Sequence, residues 1–150
     1  MKQLLQTSIR RASANDLPKI VKHMAPTGSA PLYPFTDLSK LQTIPLDGLI
    51  VAEVQGDYAG FLYWFVEENP EFDRSVRKYG YIEELQVLEK FQRHGIGRKL
   101  VTYALKQLKE SGIEAVYLDT REGNTPAQNL YESLGFRQYS RRIRYKLSTS

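Results

Sequence analysis

The chain has 150 residues, with 21 Lys and Arg against 17 Asp and Glu for a formal net charge of +4, and it is 41% hydrophobic and 11% aromatic. That length suits one domain with one substantial core, and so much ring surface is foreign to a disordered chain. The lack of cysteine excludes disulfides, thiolate metal sites and a cysteine nucleophile, and the basic excess is too small for a dedicated nucleic-acid binder.

The stretch Met1 to Gln6 is too short and polar to hold the apolar core of a signal peptide, and no run approaches the ~18 apolar residues of a membrane span. The expectation is a single cytoplasmic domain over 1–150, with neither a membrane nor a nucleic acid as partner.

A short strand is expected around Ser8 to Ala12. Asn15 or Asp16 then suits the cap of a helix running to Lys22 or Met24, with Leu17, Ile20, Val21 and Met24 at helical spacing. From Ala25 to Gly48 the pattern is broken by Pro26, Gly28, Pro31, Pro34 and Pro45, and only Asp37 to Gln42 could form a helical turn. So long an irregular segment in a compact domain suggests a binding loop.

Leu49 to Val54 and Tyr58 to Val66 read as two strands joined by a tight turn at Gln55-Gly56-Asp57. The second is apolar on both faces and belongs in the middle of a sheet. Glu67 to Lys78 reads as a polar loop, and Tyr79 to Leu88 as a strand running into a glycine turn. The helix from Gly95 to Ser111 carries Ile96, Leu100, Val101, Ala104, Leu105 and Leu108 on one face and ends at Gly112. A strand over Ile113 to Asp119, a helix from Pro126 to Leu134 closed by Gly135, and strands near Phe136 to Gln138 and Arg142 to Leu147 complete the order. Strands with interleaved helices give a layered α/β domain.

The strand, the turn Gln92-Arg93-His94-Gly95-Ile96-Gly97 and the long helix form a phosphate-site pattern. Glycine lets the backbone approach an anion closely, helix-start N–H groups point at it, and Arg93, Arg98 and Lys99 add positive charge. The spacing is neither that of a P-loop nor that of a Rossmann turn. About 30 residues on comes Asn124-Thr125-Pro126-Ala127-Gln128-Asn129-Leu130-Tyr131-Glu132-Ser133-Leu134-Gly135-Phe136.

Together the two segments resemble the GNAT superfamily of acetyl-CoA-dependent N-acetyltransferases, most clearly over Tyr79 to Phe136. The resemblance implies a mixed, mostly antiparallel central sheet flanked by helices, and acetyl-CoA as the acetyl donor, with no metal. It implies a pyrophosphate turn from Gln92 through Gly97 with Arg98 opening the helix. The strand Leu85-Gln86-Val87 would pair its main chain with the pantetheine arm, Asn124 and Ala127 would lie along that arm, and Tyr131 would protonate the departing thiolate.

The acceptor must attack as a neutral amine, and a carboxylate can take the proton from its ammonium form directly or through water. Glu83 and Glu84 lie on the same strand. Ideal alternation would point only one of them into the cleft, but a bulge would upset that parity, so both stay candidates, Glu83 first. His23 and His94 are weaker candidates for a base. The acceptor is expected to be a small molecule or a peptide, attacked directly in a ternary complex, and a homodimer stays open. Tyr33, Phe35, Tyr63 and Trp64 could line an aromatic pocket.

Two rival readings are a catalytically silent CoA-binding scaffold and a basic module using Arg141, Arg142, Arg144 and Lys146. The alternation of those cations with Ile143, Tyr145 and Leu147 is more simply the wet face of an edge strand.

Overall fold

The computed structural model describes residues 6–27 and 34–149; Gly28, Pro31 and Tyr33 of the expected loop lie outside them. The described chain divides into two compact units, one up to Asp119 and one from Thr120 onward.

In the first unit, β1 (Thr7–Arg11), β2 (Leu49–Val54), β3 (Asp57–Glu68), β4 (Lys78–Val87) and β5 (Ala115–Leu118) form one sheet in the order β1-β2-β3-β4-β5. The first four are antiparallel to their neighbours, and β5 runs parallel to β4. The sheet is therefore mixed and mostly antiparallel, with β3 central, as its two apolar faces require. Gln55 and Gly56 both have positive φ, 51° and 85°, and Asp57 already pairs with Val54. The hairpin loop is thus two residues rather than three, with both torsions in the left-handed region that suits the twist of the strands.

One face of the sheet carries α1 (Leu17–Met24) and α2 (Leu38–Leu41). Leu17, Ile20, Met24, Phe35 and Leu41 pack there against Leu49, Val51 and Phe61. The long irregular segment contains more structure than expected. It includes 3-10 turns at Pro34–Thr36 and Leu46–Gly48, and Phe35 is fully buried in the core. Asp16 is the N-cap residue of α1, one of the two expected, but its side chain makes no capping hydrogen bond to the helix. Residues Ala14–Asp16 form a 3-10 turn begun by Ser13, whose backbone N–H and hydroxyl both donate to the Asp16 carboxylate.

The opposite face carries α3 (Ile96–Glu110), which buries Ile96, Leu100, Val101, Ala104 and Leu108. Close packing leaves no room for a side chain at Gly80, where a Cβ would meet Leu108 at 2.9 Å. Gly112, at φ 75°, ends the helix as expected.

The second unit holds α4 (Thr125–Ser133), closed by Gly135 at φ 96°. The two expected terminal strands are absent: no regular element occurs between 136 and 149. Ile143, Tyr145 and Leu147 are 77%, 91% and 87% exposed. Alternation supplies two faces but no backbone partner, and a strand needs both.

Candidate functional site

The turn after β4 is built to leave space at the start of α3. A 3-10 turn at Glu89–Phe91 leads to Gln92, whose side-chain amide donates back to the Val87 carbonyl at 3.0 Å and ties the turn to the strand end. Arg93 and Gly95 have φ of 67° and 76°. Gly95 caps α3, and nothing lies within 4 Å of where its Cβ would stand. The helix begins at Ile96, so Gly97 and Arg98 fall in its first turn rather than Arg98 opening it. The first N–H groups of a helix have no intrahelical partner, and they carry the positive end of its dipole. Arg93 and His94 just before the helix and Arg98 and Lys99 in its first turn are all exposed.

The second feature is that β4 is longer than its neighbour β5. The register of β5 with β4 runs from Tyr79↔Ala115 to Ile82↔Leu118, whereas β4 stays paired with β3 as far as Val87↔Gly60. From Glu83 through Leu85, Gln86 and Val87, β4 thus continues beyond its register with β5.

A bulge lies just past the end of that register. Tyr63 pairs with Glu84 and Trp64 with Ile82, so Glu83 is an additional residue in β4. Bulges bend a strand and re-aim its side chains. Glu84 shares a face with its partner Tyr63 and accepts a hydrogen bond from the Gln86 side chain at 2.7 Å. The charge of Glu83 also reaches Tyr63, whose phenol is pushed up by burial and by that carboxylate. Both acids are therefore associated with the Tyr63 side of β4. Partial burial raises both carboxyls above their usual range, while the Gln86 contact works against the rise at Glu84.

The Tyr63 side is the face that bears α1. Phe35 stacks on Phe61 at 5.3 Å and leans on Tyr63 at 5.4 Å, and Phe65 stacks on Tyr81 at 5.4 Å. Trp64, paired with Ile82, is buried on the α3 side, so the expected aromatic pocket does not form as a set. His23 accepts or donates a 2.8 Å hydrogen bond with Tyr58, and burial holds its pKa below the usual histidine value. It is half-buried, its ring edge-on to Tyr58 and Phe61.

In the second unit Asn124 is the N-cap of α4, accepting from the Ala127 N–H at 3.3 Å. Gln128, which sequence reasoning passed over, donates to the carbonyls of Arg121 and Glu122 at 3.0 and 2.7 Å. Tyr131 is half-buried, its ring 5.9 Å from that of Phe136.

The model of the Acetyltransferase (GNAT) family matches residues 17–136. The chain belongs to this family. An N-alpha-acetyltransferase of Sulfurisphaera tokodaii is 34% identical over 137 residues, 87% of this chain and 80% of that one. An N-alpha-acetyltransferase of Sulfolobus acidocaldarius is 29% identical over 91% of this chain and 83% of its own length. An aminoglycoside N-acetyltransferase solved in complex with CoA shares the fold, with a TM-score of 0.78 at 18% identity and 98% of both chains covered.

This GNAT protein is an acetyltransferase that takes acetyl groups from acetyl-CoA to an amine. Its residues fit that donor: an open left-handed glycine beside a helix N-terminus, a cationic rim for phosphates, and a strand running past its neighbour. Among the described residues, no helix is long and apolar enough to cross a membrane.

Proposed function

We propose that the acceptor is the α-amino group at a peptide or protein N-terminus, attacked directly in a ternary complex. The observation that carries this reading is the 34% identical relative, an N-alpha-acetyltransferase that this chain matches over 87% of its own length. The family match across both compact units supports 1–150 acting as one catalytic domain.

The chemistry agrees. A lysine-like amine with pKa ~10.4 must lose ~4.6 kcal/mol of protonation at pH 7 before it can attack, whereas an α-amine at ~7.8 loses only ~1 kcal/mol. Carboxylates whose pKa is raised by partial burial, as at Glu83 and Glu84, suit this task. In this reading Glu83 or Glu84 accepts the ammonium proton. The amine nitrogen then bonds to the acetyl carbon as the carbon–sulfur bond of the donor breaks; Tyr131 gives its proton to the departing thiolate, and the second proton released from the nitrogen as the amide forms passes through solvent and restores the phenol. Acetyl-CoA supplies the activated acetyl group. Gln92 to Arg98 hold its pyrophosphate, Leu85 and Val87 offer main-chain groups to its pantetheine arm, and Asn124 and Ala127 lie along that arm.

Paired peptides test the acceptor. One has a free N-terminus and no lysine, and the other has a blocked N-terminus and one internal lysine. Release of free CoA with the first and mass spectrometry placing the acetyl group on its α-nitrogen is the expected result. Turnover of the second alone, or of small amines but neither peptide, would refute the α-amine reading.

A further inference from the structure

Tyr81 and Asp119 meet where the register of β4 with β5 ends. Tyr81 stands on β4 within the last stretch paired to β5, and Asp119 directly follows β5. The Tyr81 hydroxyl donates a hydrogen bond to Asp119 Oδ2, bridging the two strands where their register ends.

The orientation of Tyr81 follows from its neighbours. Gly80 faces Leu108 of α3, so Tyr81 points to the other side, where its ring stacks on Phe65. Phe65 adjoins Tyr63, the residue associated with both Glu83 and Glu84. The phenol and the two candidate bases therefore lie on one face of β4, two or three residues apart in sequence.

Donation to Asp119 uses the one hydrogen of the phenol, so toward any further group Tyr81 Oη acts as an acceptor. An amine entering beside Glu83 brings N–H donors and, before deprotonation, a positive charge. We propose that Tyr81 binds the acceptor amine through its phenolic oxygen and that Asp119 is a positioning residue, fixing the direction of that oxygen and adding negative charge behind it. The pair requires an amine that keeps an N–H for Tyr81 after losing a proton to the base and directing its lone pair at the acetyl carbon, as primary and secondary amines do and tertiary amines do not. This rests on β4 being the acetyl-bearing strand, and it extends the α-amine reading by naming what holds the nitrogen.

The test is steady-state kinetics on the full chain, with whichever amine the parent turns over best. Tyr81→Phe keeps the ring on Phe65 and removes only the hydroxyl. It should raise the acceptor KM about tenfold, as loss of one hydrogen bond to a charged group implies, with kcat changed far less. Asp119→Ala should do nearly the same, and Asp119→Asn, which can still accept from the phenol, should recover part of the loss. The double variant Tyr81→Phe with Asp119→Ala should be no worse than Tyr81→Phe alone, because Asp119 acts through Tyr81. Acetyl-CoA affinity should stay at the parental value throughout. A parental acceptor KM in Tyr81→Phe, or additive losses in the double variant, would overturn the proposal whatever the acceptor proves to be. Equal loss of acetyl-CoA binding would also overturn it, by showing that the clasp only maintains the sheet. Failure of the α-amine reading appears separately, in the parent's own choice of acceptor.

Discussion

Arg10 holds Asp16 with two hydrogen bonds, Nη1 to Oδ2 at 2.7 Å and Nη2 to Oδ1 at 2.8 Å, and its Nε also donates to Glu53. Asp16 is only 2% exposed. It joins β1, the turn into α1 and, through Arg10, β2. Asp16→Ala should cost about 2–4 kcal/mol, since it strands Arg10 and frees the Ser13 N–H. Urea denaturation at neutral pH measures the loss.

The same carboxyl gives a pH signature. Arg10 foremost, and Ser13 as well, hold Asp16 below the usual aspartate range. A depressed acid contributes stability that is fully present above its unfolded pKa, ~3.9, and is lost as pH falls through the lower folded value. Melting temperature should fall less steeply with acid, below pH ~4, in Asp16→Asn than in the parent. Parallel curves would show that Asp16 does not carry this dependence.

Gly97→Glu tests the phosphate turn without forcing the backbone, because residue 97 lies inside α3, where glutamate is a good helix former. The added carboxylate should lower acetyl-CoA affinity by at least tenfold while the melting temperature holds or rises. Gly95→Ala makes a useful contrast. At φ 76° it strains the helix start by about 1 kcal/mol, with no added charge. Calorimetry should therefore separate a binding defect from a folding defect.

Glu83→Gln and Glu84→Gln address the base. A carboxyl raised by burial works only when ionised, so the parental rate should fall as pH drops through that raised value. The variant lacking the true base should be slow near neutral pH and approach parental rates at high pH, where the amine deprotonates unaided. pH–rate profiles identical to the parent in both variants would remove both carboxylates from the mechanism.

Tyr131→Phe keeps the packing on Phe136 and removes only the hydroxyl. Turnover should fall by ~10²–10⁴-fold with little change in acetyl-CoA affinity, as expected for a group that acts in the transition state. Parental turnover would leave protonation of the thiolate to solvent or another side chain.

What the sequence disclosed follows from the range of each interaction. The Gln55-Gly56 hairpin, the α3 stripe and the Gly112 stop are local, so their signals lie within a few residues. Phe35 was hidden because a single ring between prolines has no period to reveal it. The terminal strands were misread from alternation alone. Tyr81 with Asp119, and Arg10 with Asp16 and Glu53, were invisible because nothing in the sequence marks which distant side chains will meet. The two candidate bases were legible as residues, but their common association with Tyr63 depends on a bulge that sequence parity could not supply.

That bulge has an evolutionary side. Glu83 has no residue opposite it in the register of β3, so the ladder does not depend on what side chain it carries. Changes there can alter the chemistry offered to an incoming molecule while the sheet keeps its pairing. Position 83 can therefore vary without cost to the pairing of β3 with β4.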